Sequence, residues 1–516
     1  MNIVFAFADD WGRYASVYAQ HEGSDSLNNL ISTPNVDRIA NEGVLFNNAF
    51  VPAPTCTPCR SSVLSGKYFW QTGLGAILVG AVWDENIPSY PLELEKAGYH
   101  IGFTYKVWSP GRGLDAPYGG ERTACHSHGN KFNNFSHEVT ERMGSVGIEA
   151  AKQELYDEVK MNFDSFLKSR PAEKPFCYWW GPTNTHRTWE KGSGKALWGL
   201  KPDDLKGKMP KFLPDVPEVR EDFCDYLGEC QAFDAGLGVI LKGLEEIGEL
   251  DNTLIVVSGD HGIPGMPRGK CNLYNIGCEV ALAMRWPGHI KPGRVVEDFI
   301  NMMDIAPTFL EAADVGKDIR ESMAAKSLMG IITSGQSGQI DHKRTYVVTG
   351  RERHVENARE GLLPYPQRAL RTAEYLYIIN FEDSRWPMGD PRDAVDGSEN
   401  FPAYEDLVWD TRTAYADLDA GPTKAWMIYN RNDEEVKPLF DLGFGKRPYE
   451  ELYDLRFDPC YMNNVADIAE YDDIKKELKS KLMEVLEQQS DPRVTEHPCR
   501  FEHAPYAGEL QDFQKM

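Results

Sequence analysis

The sequence lacks three features that mark other protein classes. None of its apolar runs approaches the ~18 residues of a membrane-spanning helix. Its 10 cysteines among 516 residues are too few for a disulfide scaffold. The 55 basic residues are outnumbered by 79 acidic ones, and the net charge of −24 argues against general nucleic-acid binding. We therefore expect a globular protein without a membrane span or nucleic-acid partner, which can bind an anion only in a local basic pocket.

The N-terminus also lacks the parts of an export signal. Met1 is followed at once by the apolar residues 2–8, with no basic segment before them and no cleavage site of small residues. This pattern is compatible with a cytoplasmic protein, or with an exported one from which the signal has been removed. No oligomeric state is predicted.

Alternating apolar runs and amphipathic helices predict an α/β fold. Buried strands are expected at 2–8, 174–181 and 253–258, and helices at 33–42 and 221–247. This alternation favours a large mixed, mostly parallel sheet sandwiched by helices. Because such sheets bind ligands beyond the carboxyl ends of their strands, the polar residues that follow these strands are candidate site residues.

The pattern of apolar and polar residues changes near residue 365. This change predicts a smaller C-terminal α+β domain with a short antiparallel sheet. Its predicted elements are two short strands within 368–381, a strand at 450–455 and a helix at 474–489. Residues 382–432 contain many Asp, Pro, Trp and Tyr residues and are expected to be irregular. We predict a catalytic domain at 1–365 and the smaller domain at 366–516.

Three carboxylates are expected to meet at the strand ends. Asp9 and Asp10 follow the first strand, and Asp260 follows the strand at 253–258 with His261 beside it. Clustered carboxylates repel one another unless a cation neutralises them. Oxygen ligands suit Ca²⁺ or Mg²⁺, and a histidine shifts the preference toward Mn²⁺ or Zn²⁺. The alternative is an acidic pair that caps a helix or lies in a solvated loop.

Residues 56–60 read Cys-Thr-Pro-Cys-Arg and admit three interpretations. They could form a loop with two free thiols, or a redox dithiol of Cys56 and Cys59. They could also place Cys56 as a nucleophile at the start of a helix, where backbone N–H groups and Arg60 make an anion-binding pocket. The residues alone leave all three open.

This segment resembles the C-x-P-x-R signature of the type I, formylglycine-dependent sulfatases of the alkaline-phosphatase superfamily. The flanking stretches T-P-N-V-D-R-I-A-N-E-G-V-L-F-N-N-A-F and S-S-V-L-S-G-K-Y are similar to that family, as is T-L-I-V-V-S-G-D-H-G at 253–262. The stretches G-I-P-G-M-P-R-G-K-C-N-L-Y at 262–274 and R-E-R-H at 351–354 resemble its sulfamidase (heparan N-sulfatase) branch. The resemblance implies hydrolysis of O-sulfate or N-sulfate groups from a sulfated mono- or oligosaccharide.

The resemblance also implies how the nucleophile and the metal are built. A formylglycine-generating enzyme would convert Cys56 to Cα-formylglycine, whose hydrate attacks sulfur. The cation would be Ca²⁺, as in most members, with Mn²⁺ or Mg²⁺ as alternatives. Its implied ligands are Asp9, Asp10, Cys56, Asp260 and His261, although His261 stands where Asn is common. Family members are commonly periplasmic or secreted.

The remaining implied roles concern charge and proton transfer. Arg60 would hold the hydrated aldehyde, Lys106 and Lys270 would bind sulfate oxygens, and His186 would protonate the leaving group. Arg353 and His354 are candidate substrate-binding residues.

One position departs from the family pattern. Members usually carry a histidine two residues after the first lysine, where this chain has Trp108, and His126 or His128 could replace it. Two further functions therefore stand beside the sulfatase prediction. One is a phosphonate or phosphate ester hydrolase of the same superfamily, which often has Asp-His at the second metal segment. The other is a non-catalytic protein that binds sulfated glycans.

Overall fold

The computed structural model describes residues 1–113 and 115–507. The described residues form two β-sheets surrounded by helices. The strands are β1 Asn2–Ala8, β2 Val44–Phe50, β3 His100–Tyr105, β4 Phe176–Gly181, β5 Thr253–Gly259, β6 Leu282–Arg285, β7 Arg294–Asn301, β8 Tyr346–Arg351, β9 Gln367–Thr372, β10 Tyr375–Asn380 and β11 Glu450–Asp454. The α-helices are α1 Ala19–Glu22, α2 Pro34–Asn41, α3 Cys56–Ser65, α4 Tyr90–Lys96, α5 Phe135–Val146, α6 Ile148–Ser169, α7 Ser193–Trp198, α8 Pro217–Glu246, α9 Asn275–Cys278, α10 Ile305–Ala312, α11 Lys317–Glu321, α12 Met329–Ile332, α13 Tyr404–Trp409, α14 Pro422–Tyr429, α15 Lys437–Phe444, α16 Asp472–Gln488 and α17 Pro492–Thr495.

The larger sheet has seven strands in the order β3-β4-β1-β5-β6-β2-β7. Strand β6 runs antiparallel to its neighbours β5 and β2, and the other adjacent pairs are parallel. The predicted mixed, mostly parallel sheet is therefore confirmed. The predicted strands at 2–8, 174–181 and 253–258 are the three adjacent central strands β1, β4 and β5.

Both faces of this sheet are buried. Along β1, Ile3 and Phe5 belong to the apolar cluster on one face, and Val4 and Ala6 belong to the cluster on the other. This alternation explains why β1 is apolar from Ile3 to Ala8, as expected for a strand covered by helices on both sides. The predicted helix at 221–247 is α8, and its apolar side chains pack in the second cluster.

The smaller sheet is antiparallel, in the order β11-β10-β9-β8. The predicted helix at 474–489 is α16, which packs Leu478, Leu482 and Leu486 against the sheet's apolar side chains. Strand β8 precedes residue 366, so the sheet draws one strand from before the predicted boundary, and the division at 365 stays a prediction. The segment 382–432, expected to be irregular, also contains α13 and α14.

Two further sequence predictions concern membranes and cysteines. Within the two described ranges, no helix is both long enough and apolar enough to cross a bilayer. All ten cysteines are unbonded thiols. The chain is thus held together by packing and polar contacts and has no disulfide framework.

Candidate active site

Two neighbouring strand ends bring the three predicted acids together. Asp9 and Asp10 follow β1, and Asp260 follows β5. The Asp260 backbone N–H donates to the Ala8 carbonyl oxygen at 3.2 Å, and the Asp10 N–H donates to Asp260 Oδ1 at 2.8 Å. Asp10 has a φ of 61°, a left-handed conformation that is unfavourable for a residue with a Cβ. The contacts that keep it there therefore fix the position of its carboxylate.

Cys56 is the first residue of α3 and faces this cluster. Its Sγ lies 3.4 Å from His261 Nε2 and 3.9 Å from Asp10 Oδ1. Pro58 occupies the first turn of the helix, where a missing N–H costs no hydrogen bond. Cys59 packs in the apolar core and is fully buried, so the dithiol interpretation finds no accessible second sulfur.

Arg60 joins the two strand ends from beneath. Its side chain is wholly buried, and it donates to Asp260 Oδ2 at 2.8 Å and to Asp9 Oδ1 at 3.0 Å. It also donates to the carbonyl oxygens of Lys106 and Val107, both at 3.2 Å. With its hydrogen bonds directed to fixed acceptors, Arg60 holds the two carboxylates in place.

Two lysines and a histidine surround the acids on the other sides. Lys106 Nζ lies 2.7 and 2.9 Å from the two carboxylate oxygens of Asp9. Lys270 Nζ lies 2.9 Å from Asp10 Oδ2 and 3.3 Å from Asp419 Oδ2. His186 Nε2 lies 3.9 Å from Asp10 Oδ2, and its side chain is 34% exposed. The structure therefore gathers the predicted catalytic and metal-binding side chains into one cluster.

The charges of the cluster shift the pKa values of its members. Burial alone would raise the pKa of Asp9, but Lys106 and Arg60 outweigh it and hold that pKa well below its usual range. Burial raises the pKa of Asp260, although Arg60 opposes it. Burial also raises the pKa of the Cys56 thiol, and the Asp9 carboxylate adds to that shift. An unmodified Cys56 would thus remain a protonated, weakly nucleophilic thiol.

The donor set of the cluster fits a divalent cation. One ligand atom from each of Asp10, Cys56, Asp260 and His261 lies within 4.8 Å of the other three. Asp9, Asp10 and His186 form an overlapping group with the same property. Carboxylate oxygens suit Ca²⁺, Mg²⁺ or Mn²⁺, and the imidazole of His261 favours the transition metal.

The other sequence candidates occupy different places. His354 Nδ1 lies 2.6 Å from Thr55 Oγ1, next to the nucleophile position. Arg353 donates to the Tyr506 carbonyl oxygen at 3.3 Å. Trp108, which stands where a histidine is usual, is buried and donates from Nε1 to Ser61 Oγ at 2.7 Å. Its indole therefore packs against α3.

The two histidines proposed as replacements differ in position. His126 lines a cavity of about 520 Å³ that Lys106 also lines. His128 Nε2 pairs with Ser165 Oγ at 2.9 Å and does not share that cavity's lining. Of the two histidines, His126 is the one that shares a cavity lining with Lys106.

Asp419 is a site residue that sequence reasoning missed. It lies in the stretch expected to be irregular, yet its Oδ2 atom lies 3.3 Å from Lys270 Nζ. Burial would raise its pKa, but Lys270 and His186 hold it far below the usual range. No motif marks this residue, because only the folded chain brings residues 270 and 419 together.

Comparison with protein families identifies the class. A family model described as Sulfatase matches residues 1–315, and one described as N-sulphoglucosamine sulphohydrolase, C-terminal, matches residues 268–392. The chain therefore belongs to the sulfatase family and is an enzyme that hydrolyses sulfate esters or sulfamates. It is 24% identical to human N-sulphoglucosamine sulphohydrolase over 96% of this chain and 91% of the relative.

Solved structures of proteins with two different activities have folds similar to that of this chain. The chain is similar, with a TM-score of 0.60 and 20% identity, to a protein solved in complex with its substrate D-glucosamine-2-N,6-O-disulfate, over 96% of this chain and 99% of that one. It is also similar to the phosphonate monoester hydrolase of Agrobacterium radiobacter, with a TM-score of 0.62 and 17% identity, over 95% and 96% of the two chains. The fold by itself does not separate these activities.

Proposed function

We propose that this enzyme removes sulfate from a sulfated saccharide, using a Cα-formylglycine made from Cys56 and a divalent cation. The observation that carries the proposal is the position of Cys56. It begins a buried helix and points at His261 and Asp10, amid side chains that can hold an anion. A formylglycine-generating enzyme would act on this residue during maturation.

The two absent groups would supply the nucleophile and its activation. The hydrated aldehyde would provide one hydroxyl that attacks sulfur and a second that drives sulfate release. Asp9, Asp10, Asp260 and His261 would hold a cation that lowers the pKa of a bound hydroxyl and neutralises oxygen charge. Ca²⁺ is the proposed ion, with Mn²⁺ or Mg²⁺ as alternatives.

The chain's own cations would bind the sulfate. The Lys106 ammonium group contacts Asp9 and the Lys270 ammonium group contacts Asp10, so both lie at the carboxylate cluster that Cys56 faces. Each is a compact charge suited to a sulfate oxygen. Stabilising the charge that builds on sulfate in the transition state is their proposed contribution.

His186 is the proposed proton donor to the leaving group. Its Nδ1 donates to the Arg187 carbonyl oxygen at 2.5 Å, so Nδ1 carries a hydrogen and Nε2 is the atom that can exchange a proton. The side chain is partly exposed, whereas His261 is wholly buried in the metal-ligand group. His186 can therefore meet a substrate atom that enters from solvent.

The comparisons support a glucosamine-type substrate. The C-terminal family match and the human relative both carry the name of an N-sulphoglucosamine hydrolase, and the solved protein was complexed with a sugar bearing N- and O-sulfate. We propose a sulfated mono- or oligosaccharide as substrate, with the sulfate on nitrogen or oxygen. A second candidate is phosphonate ester hydrolysis, favoured by the Asp260-His261 pair and the shared fold.

The decisive experiment is a substrate panel on protein whose Cys56 modification has been measured by mass spectrometry. The panel contains N-sulfated and O-sulfated glucosamines, an aryl sulfate and phenyl phosphonate. Turnover of a sulfated sugar that scales with the modified fraction supports the proposal. A higher kcat/KM on phenyl phosphonate than on every sulfated compound would instead establish the second candidate.

A further inference from the structure

A cavity outside the active-site cluster lies next to the segment that carries His186. Its volume is about 140 Å³, and it lies between α8, α13 and the chain segment that follows His186. Its walls include Thr188, Trp189, Glu221 and Trp409. A concave site that combines aromatic rings with polar groups is suited to a small ligand.

Two chain segments connect this cavity to the active-site cluster. His186 belongs to the cluster and the next residue, Arg187, lines the cavity. Asp419 pairs with Lys270 and the next residue, Ala420, lines the cavity. Because consecutive Cα atoms are about 3.8 Å apart, the backbone that lines the cavity at Arg187 and Ala420 adjoins the backbone of two residues of the active-site cluster. A group attached to the sulfated sugar could extend into the cavity.

The wall nearest the active site is rigid. Arg187 donates to both carboxylate oxygens of Asp222, at 2.8 and 2.7 Å, and its guanidinium lies 4.1 Å from the ring centroid of Trp189. Asp222 also accepts from the Thr423 hydroxyl at 2.6 Å. A bidentate ion pair of this kind fixes its partners in both position and orientation. The cavity is therefore formed before a ligand arrives.

An exposed aromatic ring lies at the cavity wall. Trp409 is 60% exposed, although large aromatic side chains are mostly buried in this protein. Its Nε1 donates to Glu405 Oε2 at 3.2 Å, and Tyr404 lines the same cavity. Indole and phenol rings offer flat apolar faces with polar edges, which suits the face of a sugar ring.

The charge of the cavity selects among sugars. Glu218, Glu221 and Glu405 line it, together with Asp222, which is paired with Arg187, and Asp225, whose pKa is raised to about 7 by burial. Lys191 lies 3.6 Å from Glu221 but is 69% exposed, so it offsets this charge only in part. A sugar with a carboxylate or sulfate would meet like charge here. Hydroxyl and amine groups, by contrast, can donate hydrogen bonds to the carboxylates.

We propose that this cavity is a subsite for a second sugar ring, uncharged or amine-bearing, attached to the sugar that is desulfated. The proposal rests on the proposed function. It adds that the enzyme selects against a uronic acid or a sulfated sugar at the neighbouring position. Trp409 supplies the stacking face, and Glu218 and Glu405 supply the charge that discriminates.

The test compares three substrates: a sulfated monosaccharide, and the same sugar joined to a glucosamine or to a uronic acid. For the unaltered enzyme we expect kcat/KM to be at least about tenfold higher with the glucosamine neighbour than with the uronic acid, as one lost ionic contact would give. Trp409→Ala should lower the ratio of disaccharide to monosaccharide kcat/KM by about tenfold, in line with one lost ring contact. The double variant Glu218→Gln, Glu405→Gln should reduce the difference in kcat/KM between the two disaccharides.

The matched control is Phe457→Ala, which removes another exposed ring, 80% exposed and outside the cavity lining. Phe457→Ala should leave the kcat/KM values of the three substrates unchanged relative to one another. Equal kcat/KM for the two disaccharides, or a Trp409→Ala ratio equal to that of the control, would overturn the subsite. Absence of turnover on every substrate, including the monosaccharide, would instead overturn the proposed function.

A binding measurement separates the two proposals further. Calorimetric titration of Cys56→Ala protein with an unsulfated glucosamine disaccharide needs no turnover. Saturable binding that Trp409→Ala weakens supports the subsite whatever the reaction is, and binding that Trp409→Ala leaves unaltered contradicts it.

Discussion

The buried carboxylates of the active site are each paired with a cation of the chain. Arg60 contacts Asp9 and Asp260, Lys106 contacts Asp9, and Lys270 contacts Asp10. Each pair places a positive charge beside a carboxylate, which reduces the repulsion among the three acids at the strand ends. A divalent cation would add positive charge to a cluster that is already partly balanced, so its proposed role lies in catalysis more than in folding.

Metal removal tests whether the proposed cation contributes to turnover, to stability or to both. Exhaustive chelation should abolish turnover and lower the melting temperature, since a ligand at 100 times its Kd stabilises by about 2.7 kcal/mol. Activity and thermal unfolding are measured before chelation, after it, and after Ca²⁺ or Mn²⁺ is restored. Restoration of both quantities by one ion identifies that ion. Full activity in protein shown to be metal-free contradicts the proposed cation site.

Cys56 and Cys59 provide a second test within one motif. Cys56→Ala should abolish turnover with the fold intact, because the modified residue would be lost. Cys59→Ser should retain most activity, because Cys59 packs in the apolar core and is not the residue that would be modified. It should cost some stability, about 1–3 kcal/mol, because a buried hydroxyl replaces an apolar thiol. Turnover and thermal unfolding of both variants are compared. Equal loss of turnover in both would favour a dithiol mechanism.

Lys270 tests the proposed binding of sulfate. Lys270→Ala should lower kcat/KM by about 10²–10³, the usual effect of removing one group that stabilises transition-state charge. It also leaves Asp10 and Asp419 without this partner. The matched control is Lys437→Ala, which removes an exposed lysine that pairs with Asp441 on α15. A kcat/KM for Lys270→Ala close to that of the control would exclude Lys270 from the reaction.

Residues within motifs could be predicted and residues outside them could not. Cys56, Arg60 and Asp260 each lie in a short segment whose order along the chain is informative. Asp419 belongs to a stretch without periodicity, and its contact with Lys270 spans 149 positions, a separation that no local pattern encodes. The sequence shows that Trp108 departs from the family pattern. Its hydrogen bond to Ser61 could be found only from the structure.

At the scale of elements, helix α8 organises the helices around it. Four of its acids accept hydrogen bonds from the first turns of other helices. Asp222 accepts from Thr423 N of α14 at 3.2 Å, and Asp225 from Gly194 N of α7 at 2.8 Å. Carboxylates at helix N-termini satisfy free N–H groups and complement the helix dipole.

The other two acids repeat the arrangement. Glu229 accepts from Ser136 N of α5 at 3.2 Å, and Asp234 accepts from Val36 N of α2 at 2.8 Å. The apolar periodicity of α8 predicted the helix, but its acidic residues would ordinarily be assigned to a solvated face. They are buried because each meets the end of another helix, a contact that depends on tertiary structure.

These acids predict an unusual pH dependence. Burial raises the pKa of Glu229 to about 7, although Ser136 and Asn184 oppose the shift. The native protein therefore holds a proton that the unfolded chain releases above about pH 4.5. The stabilisation is complete below that pH and is lost as the pH rises through 7, a change of roughly 3 kcal/mol by linkage.

Glu229→Gln isolates this contribution because glutamine does not titrate. We expect the stability of the variant relative to the unaltered protein to rise between pH 4.5 and 7.5, as measured by denaturant unfolding at several pH values. Glu149→Gln, at a side chain that is 87% exposed, is the control and should keep a constant difference from the unaltered protein. A constant difference for Glu229→Gln as well would show that Glu229 stays ionised.

At the scale of the whole molecule, the central strands of the large sheet could be predicted from the sequence, but the boundary between the two domains could not. Strands β1, β4 and β5 are short apolar runs between helices, so their parallel arrangement followed from chain order and burial. Strand β8 joins the small sheet from before residue 366, because it pairs with β9 across a loop of irregular sequence. A domain boundary that is predicted from amino-acid composition falls where the composition changes. It takes no account of a strand pairing such as that of β8 with β9.

The net charge of −24 provides the last prediction, which concerns substrate length. Together with a bound cation, Arg60, Lys106 and Lys270 would create positive potential inside the site, while the chain as a whole carries an excess of acidic residues. A short sulfated oligosaccharide or a chain end needs only the site, whereas the interior of a sulfated polymer must also lie against like charge. We therefore expect kcat/KM at low salt to be higher on a sulfated disaccharide than on the parent polymer. Added salt should narrow the difference, because the Debye length is about 8–10 Å at 0.1–0.15 M. The measurement is desulfation of both substrates across a salt series, and faster reaction within the intact polymer at low salt would show that surface charge does not govern substrate choice.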